Sequence, residues 1–146
     1  MLDIFAGSGS LGFEALSRGA ASAVFIEQNP KAAKIISENQ RALKVEDRSR
    51  VLIQSAEVFW KNPEKGEGLV KEWGPFDFIF ADPPYEFGWE SKLLENMPWE
   101  LLLAKDGQFI VEWSDRNVEL PDTIACLRKT RERDYGQTWL TSYVRE

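Results

Sequence analysis

The stretch "LDIFAGSGSLG", residues 2–12, decides the fold of this 146-residue chain. It carries Gly7, Gly9 and Gly12, the spacing G-x-G-x-x-G. The apolar run "MLDIF" before the glycines reads as a buried strand, and "SLGFEALSRG" after them as a helix ending at Gly19. Gly7 and Gly9 allow a tight turn and a close backbone approach by a ligand. Gly12 lets the helix pack near the strand. The helix start then presents free N–H groups and the positive end of its dipole. Glycine triplets alone are a weak signal, because plain turns produce them. Set between a strand and a helix, this one reads as a ligand-binding loop.

Two acids bear on which ligand. Asp3 lies inside the first strand, where a dinucleotide fold keeps apolar residues beneath an anionic pyrophosphate. An acid there suits a cationic group instead, such as the amino group or sulfonium of S-adenosylmethionine. Glu27 ends the second strand, where an acid accepts hydrogen bonds from ribose hydroxyls. Both kinds of cofactor have that ribose, so Glu27 does not choose between them. The plainer readings are a turn-capping carboxylate for Asp3 and a solvated strand end for Glu27.

Outward from the loop, short strands alternate with helices. "SAVFIE", "RVLIQ", "FDFIFA" and "QFIVEW" read as further strands. "NPKAAKIISENQRALKV" is a helix with Asn29 as N-cap and Pro30 at its first position. "SAEVFWK" is a short helix, "NPEKGEG" a mobile loop, and residues 90–104 are helical with a break at Pro98. This alternation predicts a doubly wound, mostly parallel α/β sheet. The ending departs from it: "TIACLRKTRER" and "TWLTSYVR" follow one another around "DYGQ", which predicts an antiparallel hairpin at the sheet edge. That is the layout of a Rossmann-like class I methyltransferase more than of a dehydrogenase.

The fourth strand delivers Asp82, Pro83, Pro84 and Tyr85 to the carboxyl ends of the strands, where ligands of open α/β sheets bind. The prolines stiffen the turn. Asp82 supplies one acceptor, the Pro83 carbonyl a second, and Tyr85 an aromatic face. Two acceptors beside a ring suit a planar exocyclic amino group. Bonds to its two protons build electron density on nitrogen and aim its lone pair at a methyl donor, while the ring stacks on Tyr85. Asp82 or a water then takes the proton. A plain proline turn is the alternative.

"LDIFAGSGSLGFEALSRGA", "IEQNPKA", "IFADPPYE" and "YGQTWLTSY" resemble the RsmD-type 16S rRNA guanine-N2 methyltransferases, over nearly the whole chain. The resemblance implies a single S-adenosyl-L-methionine-dependent domain, residues 1–146. It implies that Asp3, Phe5, Ala6, Gly7, Ser8 and Gly9 line the methionine part of the cofactor, and that Glu27 holds the ribose with Gln28 beside it. Ser55 and Ala56 fall at the adenine, and Asp82 to Tyr85 hold the guanine amino group. Phe87 and Trp89 shape the base pocket or serve as lid packing. The implied partner is 16S rRNA or the small ribosomal subunit particle, met in the cytoplasm by a monomer. The family carries a basic segment before the first strand, whereas this sequence opens on the strand; the expectation is a domain N-terminally truncated relative to the family. The alternatives are another amino-methyltransferase, acting on adenine N6 or a protein glutamine, and a cofactor-binding but inactive fragment.

Composition narrows the rest. The chain has 43% apolar and 29% charged residues, and its length lets it bury roughly 70% of its unfolded surface. It has no histidine, which removes the His-based triads and most zinc sites; no metal is expected. Cys126, the single cysteine, excludes an internal disulfide and reads as a buried strand residue. A net charge of −6 lacks the basic footprint of a nucleic-acid binder. The local exception is "RKTRER", a solvated strand edge or an RNA phosphate contact. No apolar run is long enough to span a membrane, and no basic-then-apolar signal opens the chain.

Overall fold

Five apolar runs become parallel strands: β1 (Leu2–Ile4), β2 (Ala23–Glu27), β3 (Ser49–Ile53), β4 (Phe76–Ala81) and β5 (Leu103–Trp113). Every residue of β1 and β2 is buried, which is why those runs lack polar alternation. This computed structural model describes residues 1–115 and 117–146. The spatial order is β3-β2-β1-β4-β5-β8-β7-β6. The last three strands are β6 (Thr123–Ile124), β7 (Leu127–Asp134) and β8 (Trp139–Arg145).

The helices divide between the two faces. On β2, Val24 and Ile26 point into the larger core cluster, while Ala23 and Phe25 point into the smaller one. Helices α1 (Ser10–Ser17) and α2 (Pro30–Leu43) cover the smaller cluster through Phe13, Leu16 and Ile36. Helices α3 (Ala56–Trp60), α4 (Pro63–Trp73), α5 (Trp89–Asn96) and α6 (Trp99–Leu102) cover the other face. The expected doubly wound sheet is therefore present. The order reverses between β1 and β4, and the crevice at that switch point opens at the carboxyl ends of the strands.

The capping expected of α2 is found: Asn29 Oδ1 accepts from the N–H groups of Lys31 (2.9 Å) and Ala32 (3.4 Å), with Pro30 following. Gly12 serves packing. A Cβ there would lie 2.3 Å from the Phe25 ring. The antiparallel hairpin is also present as β7–β8, with β8 inserted antiparallel between β5 and β7. The outermost position belongs to the short β6. Trp113 stacks on Trp139 at 5.1 Å and donates to Thr141 Oγ1 at 2.9 Å, which fastens β8 to β5.

Two expectations are corrected. "NPEKGEG" is not a loop; it forms the first two turns of α4. Pro63 occupies the first helical turn, and the two glycines sit on a helix that pays their entropy through packing. A Cβ on buried Gly66 would meet Leu101 at 3.2 Å, while Leu69 anchors the same helix in the core. Cys126 is not in a strand: β6 ends at Ile124, the chain turns through Ala125 (φ 49°) and Cys126, and β7 begins at Leu127. The apolar run splits because Ile124 and Leu127 pair across a two-residue turn. Among the described residues no helix is long and apolar enough to cross a membrane.

The helical assignment of α4 is testable with Gly68, which has open space around its missing Cβ. Gly68→Ala should raise stability in urea by about 0.5–1 kcal/mol. Gly12→Ala should lower it by about 1–3 kcal/mol through the clash with Phe25. A loop at residue 68 would leave the first change near zero.

Candidate active site

Beyond β1 the chain adopts positive φ at Phe5 (64°), Gly7 (57°) and Gly9 (79°). At Gly7 this is purely conformational, since nothing lies within 4 Å of a Cβ there. At Gly9 a Cβ would also meet Phe13 at 2.9 Å and Phe25 at 3.1 Å, so packing excludes a side chain as well. Phe5 is the costly member, a bulky residue in a left-handed conformation. Its ring meets Trp89 edge-on at 5.3 Å, and Trp89 in turn packs on Trp60 at 6.0 Å.

Glu27 holds this loop. Its Oε2 accepts from Gly7 N–H at 2.7 Å, and its Oε1 accepts from Asn29 N–H at 2.8 Å. One buried carboxylate thus ties the β1–α1 loop to the start of α2. Helix α1 begins with no side-chain cap at Gly9 and no acid in its first turn, and its Gly12 N–H bonds the Asp3 carboxyl.

Asp3 is buried on the face covered by α1, and its Oδ2 has no hydrogen-bond partner. Burial pushes its carboxyl up to about 7. The Gly12 N–H pulls the other way, and Asp82 and Glu27 add repulsion. A buried carboxyl with one oxygen unpartnered, at the start of a ligand loop, is a group suited to a cation.

At the end of β4, Asp82 and Pro83 to Tyr85 form the opposite wall. A cleft of about 400 Å³ is lined by Phe5, Glu27, Gln28, Asp82, Pro83, Pro84 and Tyr85. The structure therefore brings seven of the anticipated residues to one cavity. Ala6, Gly7, Ser8 and Gly9 continue the loop from Phe5 and do not line the cleft, and Asp3 is buried in β1 just before it. Ser55 and Ala56 are set back: Ser55 Oγ accepts from Val58 N–H at 3.1 Å as the N-cap of α3, and Ala56 is buried in the core. Phe87 is exposed at φ 75°.

Glu112, near the carboxyl end of β5, is absent from the sequence reading. It accepts from the Tyr85 hydroxyl at 3.2 Å. Burial raises the Asp82 carboxyl, and Glu112 raises it further. The available signal was an acid closing the apolar run "QFIVEW", as Glu27 closes "SAVFIE".

The family model described as conserved hypothetical protein 95 matches residues 1–144. The chain belongs to this family. It is the RsmD-type family that the sequence resembles. YlbH of Bacillus subtilis is 38% identical over 143 residues, covering 97% of this chain and 73% of that protein. Ribosomal RNA small subunit methyltransferase D of Escherichia coli K12 is 35% identical over 148 residues, covering 99% and 68%. The solved structure of Escherichia coli yhhF superposes with a TM-score of 0.82 at 32% identity, covering 99% of this chain and 74% of that one. The conserved hypothetical protein 95 family thus spans the whole of the cleft, from the Asp3 strand to the β7–β8 hairpin.

Asp3 gives this site a pH signature. The unfolded chain releases the Asp3 proton near its ordinary value, whereas the folded chain keeps it to about 7. Folding is thus opposed increasingly as pH rises from about 4 to 7, by an amount on the order of 4 kcal/mol, and no further above that. The stability of Asp3→Asn minus that of the parent, measured in urea, should grow by a few kcal/mol between pH 4 and 8. A difference independent of pH would refute the burial of an unpaired carboxyl.

Proposed function

We propose that the chain transfers a methyl group from S-adenosyl-L-methionine to the exocyclic N2 amino group of a guanine in 16S rRNA, as free RNA or within the small ribosomal subunit particle. Residues 1–146 act as one catalytic domain, a cytoplasmic monomer. The observation that carries this reading is one cleft lined by Phe5, Glu27 and the Asp-Pro-Pro-Tyr turn, with the buried Asp3 carboxyl, one oxygen unpartnered, at the start of the glycine loop.

The cofactor fits the residues present. S-adenosylmethionine, when bound, supplies a methyl group on a positively charged sulfur. Asp3 answers the amino group of its methionine end, and the uncapped start of α1 answers the carboxylate. Phe5, Ala6, Gly7, Ser8 and Gly9 form the wall along that part. Each Glu27 oxygen already accepts one backbone bond and keeps a further lone pair for a ribose hydroxyl, with Gln28 beside it. Ser55 and Ala56 stand on the adenine side, where their contribution is backbone and shape, because the Ser55 hydroxyl is engaged as a cap.

The base side needs orientation more than acid–base strength. Asp82 and the Pro83 carbonyl accept the two N2 protons, Pro84 keeps the turn rigid, and Tyr85 offers its ring for stacking. Bond formation to N2 leaves a surplus proton on nitrogen. Asp82, already raised by burial, is suited to take it or pass it to water. An NAD-type ligand fits poorly, since its pyrophosphate would lie over the Asp3 carboxyl.

Asp82→Ala tests these roles. Methyl transfer onto small-subunit particles from cells lacking the enzyme should fall roughly 10²–10⁴-fold. The affinity for S-adenosylhomocysteine should stay within about threefold, since the cofactor contacts lie elsewhere. Nucleoside analysis of the parent reaction should give N2-methylguanosine. N6-methyladenosine would contradict the assigned base, and loss of cofactor binding would contradict the role given to Asp82.

A further inference from the structure

Tyr85 and Asp82 line the cleft, and Glu112 stands next to both, accepting from the Tyr85 hydroxyl and repelling the Asp82 carboxylate. Among the described residues neither acid has an ion-pair partner. Burial raises the Asp82 carboxyl first, and the like charge of Glu112, with no cation beside it, raises it further. A ligand edge rich in N–H donors would offset that repulsion.

The register explains why Glu112 is available. On β5, Phe109, Val111 and Trp113 point into the larger core, so Glu112 faces the other side, the same face as Asp3. It pairs with Leu140 of β8, which offers it no polar partner. Among the described residues Tyr85 is the only side chain bonded to it, and its Oε2 is left with open acceptor sites. Tyr85 is more than half exposed, so the pair sits at the mouth of the cleft rather than inside the core.

The chemistry of purine edges does the rest. Guanine presents N1–H next to its N2 amino group, a continuous row of donors. Adenine presents a bare N1 lone pair next to its N6 amino group. An ionised carboxylate only accepts hydrogen bonds, so it welcomes the first edge and repels the second. We propose that Glu112, oriented by the Tyr85 hydroxyl, accepts the N1–H of the target guanine and thereby makes the site reject adenine. This rests on the guanine reading above, and it assigns the choice of base to a residue outside the Asp-Pro-Pro-Tyr turn. Asp82 and Pro83 grip the amino group, which both purines possess; Glu112 reads the neighbouring ring position, where they differ.

The test uses small-subunit particles reconstituted with either guanine or 2-aminopurine at the mapped target. 2-Aminopurine keeps the 2-amino group and lacks N1–H. The parent enzyme should prefer guanine in kcat/KM by roughly 10- to 150-fold, the range of one charged hydrogen bond. In Glu112→Gln the preference should shrink to about threefold or less, because the amide can donate to the N1 of 2-aminopurine as well as accept from guanine. Tyr85→Phe should lie between the two, and the thermal shift with S-adenosylhomocysteine should match the parent in both variants. If Glu112→Gln keeps the parental preference, or slows both substrates equally, the inference is overturned. If the parent yields no N2-methylguanosine at all, the base assignment fails first, and the inference with it.

Discussion

The Glu27 carboxylate is the hinge of the site. By accepting from Gly7 on one side and Asn29 on the other, it clamps the ligand loop to the second strand and the start of α2. Three positive-φ residues in the loop would otherwise be free to rearrange. Charge-assisted bonds of this kind are among the stronger ones a protein makes, at about 1.5–3 kcal/mol each. Once the loop is fixed, so is the start of α1, and the Phe5 ring is directed onto Trp89. The cleft follows from that clamp.

Its electrostatics then choose the ligand. The parallel strands β1, β2 and β5 carry Asp3, Glu27 and Glu112, and Asp82 directly follows β4. Glu27 and Asp82 line the crevice, with Asp3 and Glu112 close to them, a poor setting for a pyrophosphate and a good one for a sulfonium and an ammonium group. The cost appears in Asp3, whose carboxyl holds its proton to about 7 because it is buried with one oxygen unpartnered. Such a group lowers the stability of the empty fold and is relieved by a bound cation. That pattern belongs to a site shaped for binding rather than for folding.

Much of this was legible in the sequence because it is local. Five apolar runs, the Asn29–Pro30 start of α2, the glycine spacing and the proline turn each declare themselves within a few residues. What escaped depends on distant partners. Helix α4 looked like a loop because two glycines and three charges crowd its first turns, and only the approach of Leu101 explains Gly66. Ser55 was expected at the adenine, yet its hydroxyl caps α3 by accepting from Val58 N–H three residues on. Glu112 was invisible as a site residue, because its meaning lies in the register of β5 and in the reach of Tyr85 across 27 positions. The insertion of β8 between β5 and β7 is likewise a pairing that no local pattern announces.

The central claim is that this acidic crevice, despite its dinucleotide-like glycines, selects a cationic cofactor. Thermal unfolding of the chain at pH 8 with equal concentrations of S-adenosylmethionine and NADH tests it most directly, since a ligand that binds only the folded state raises the melting temperature. The account predicts a clear rise with S-adenosylmethionine and none with NADH. A rise with NADH and none with S-adenosylmethionine would contradict it.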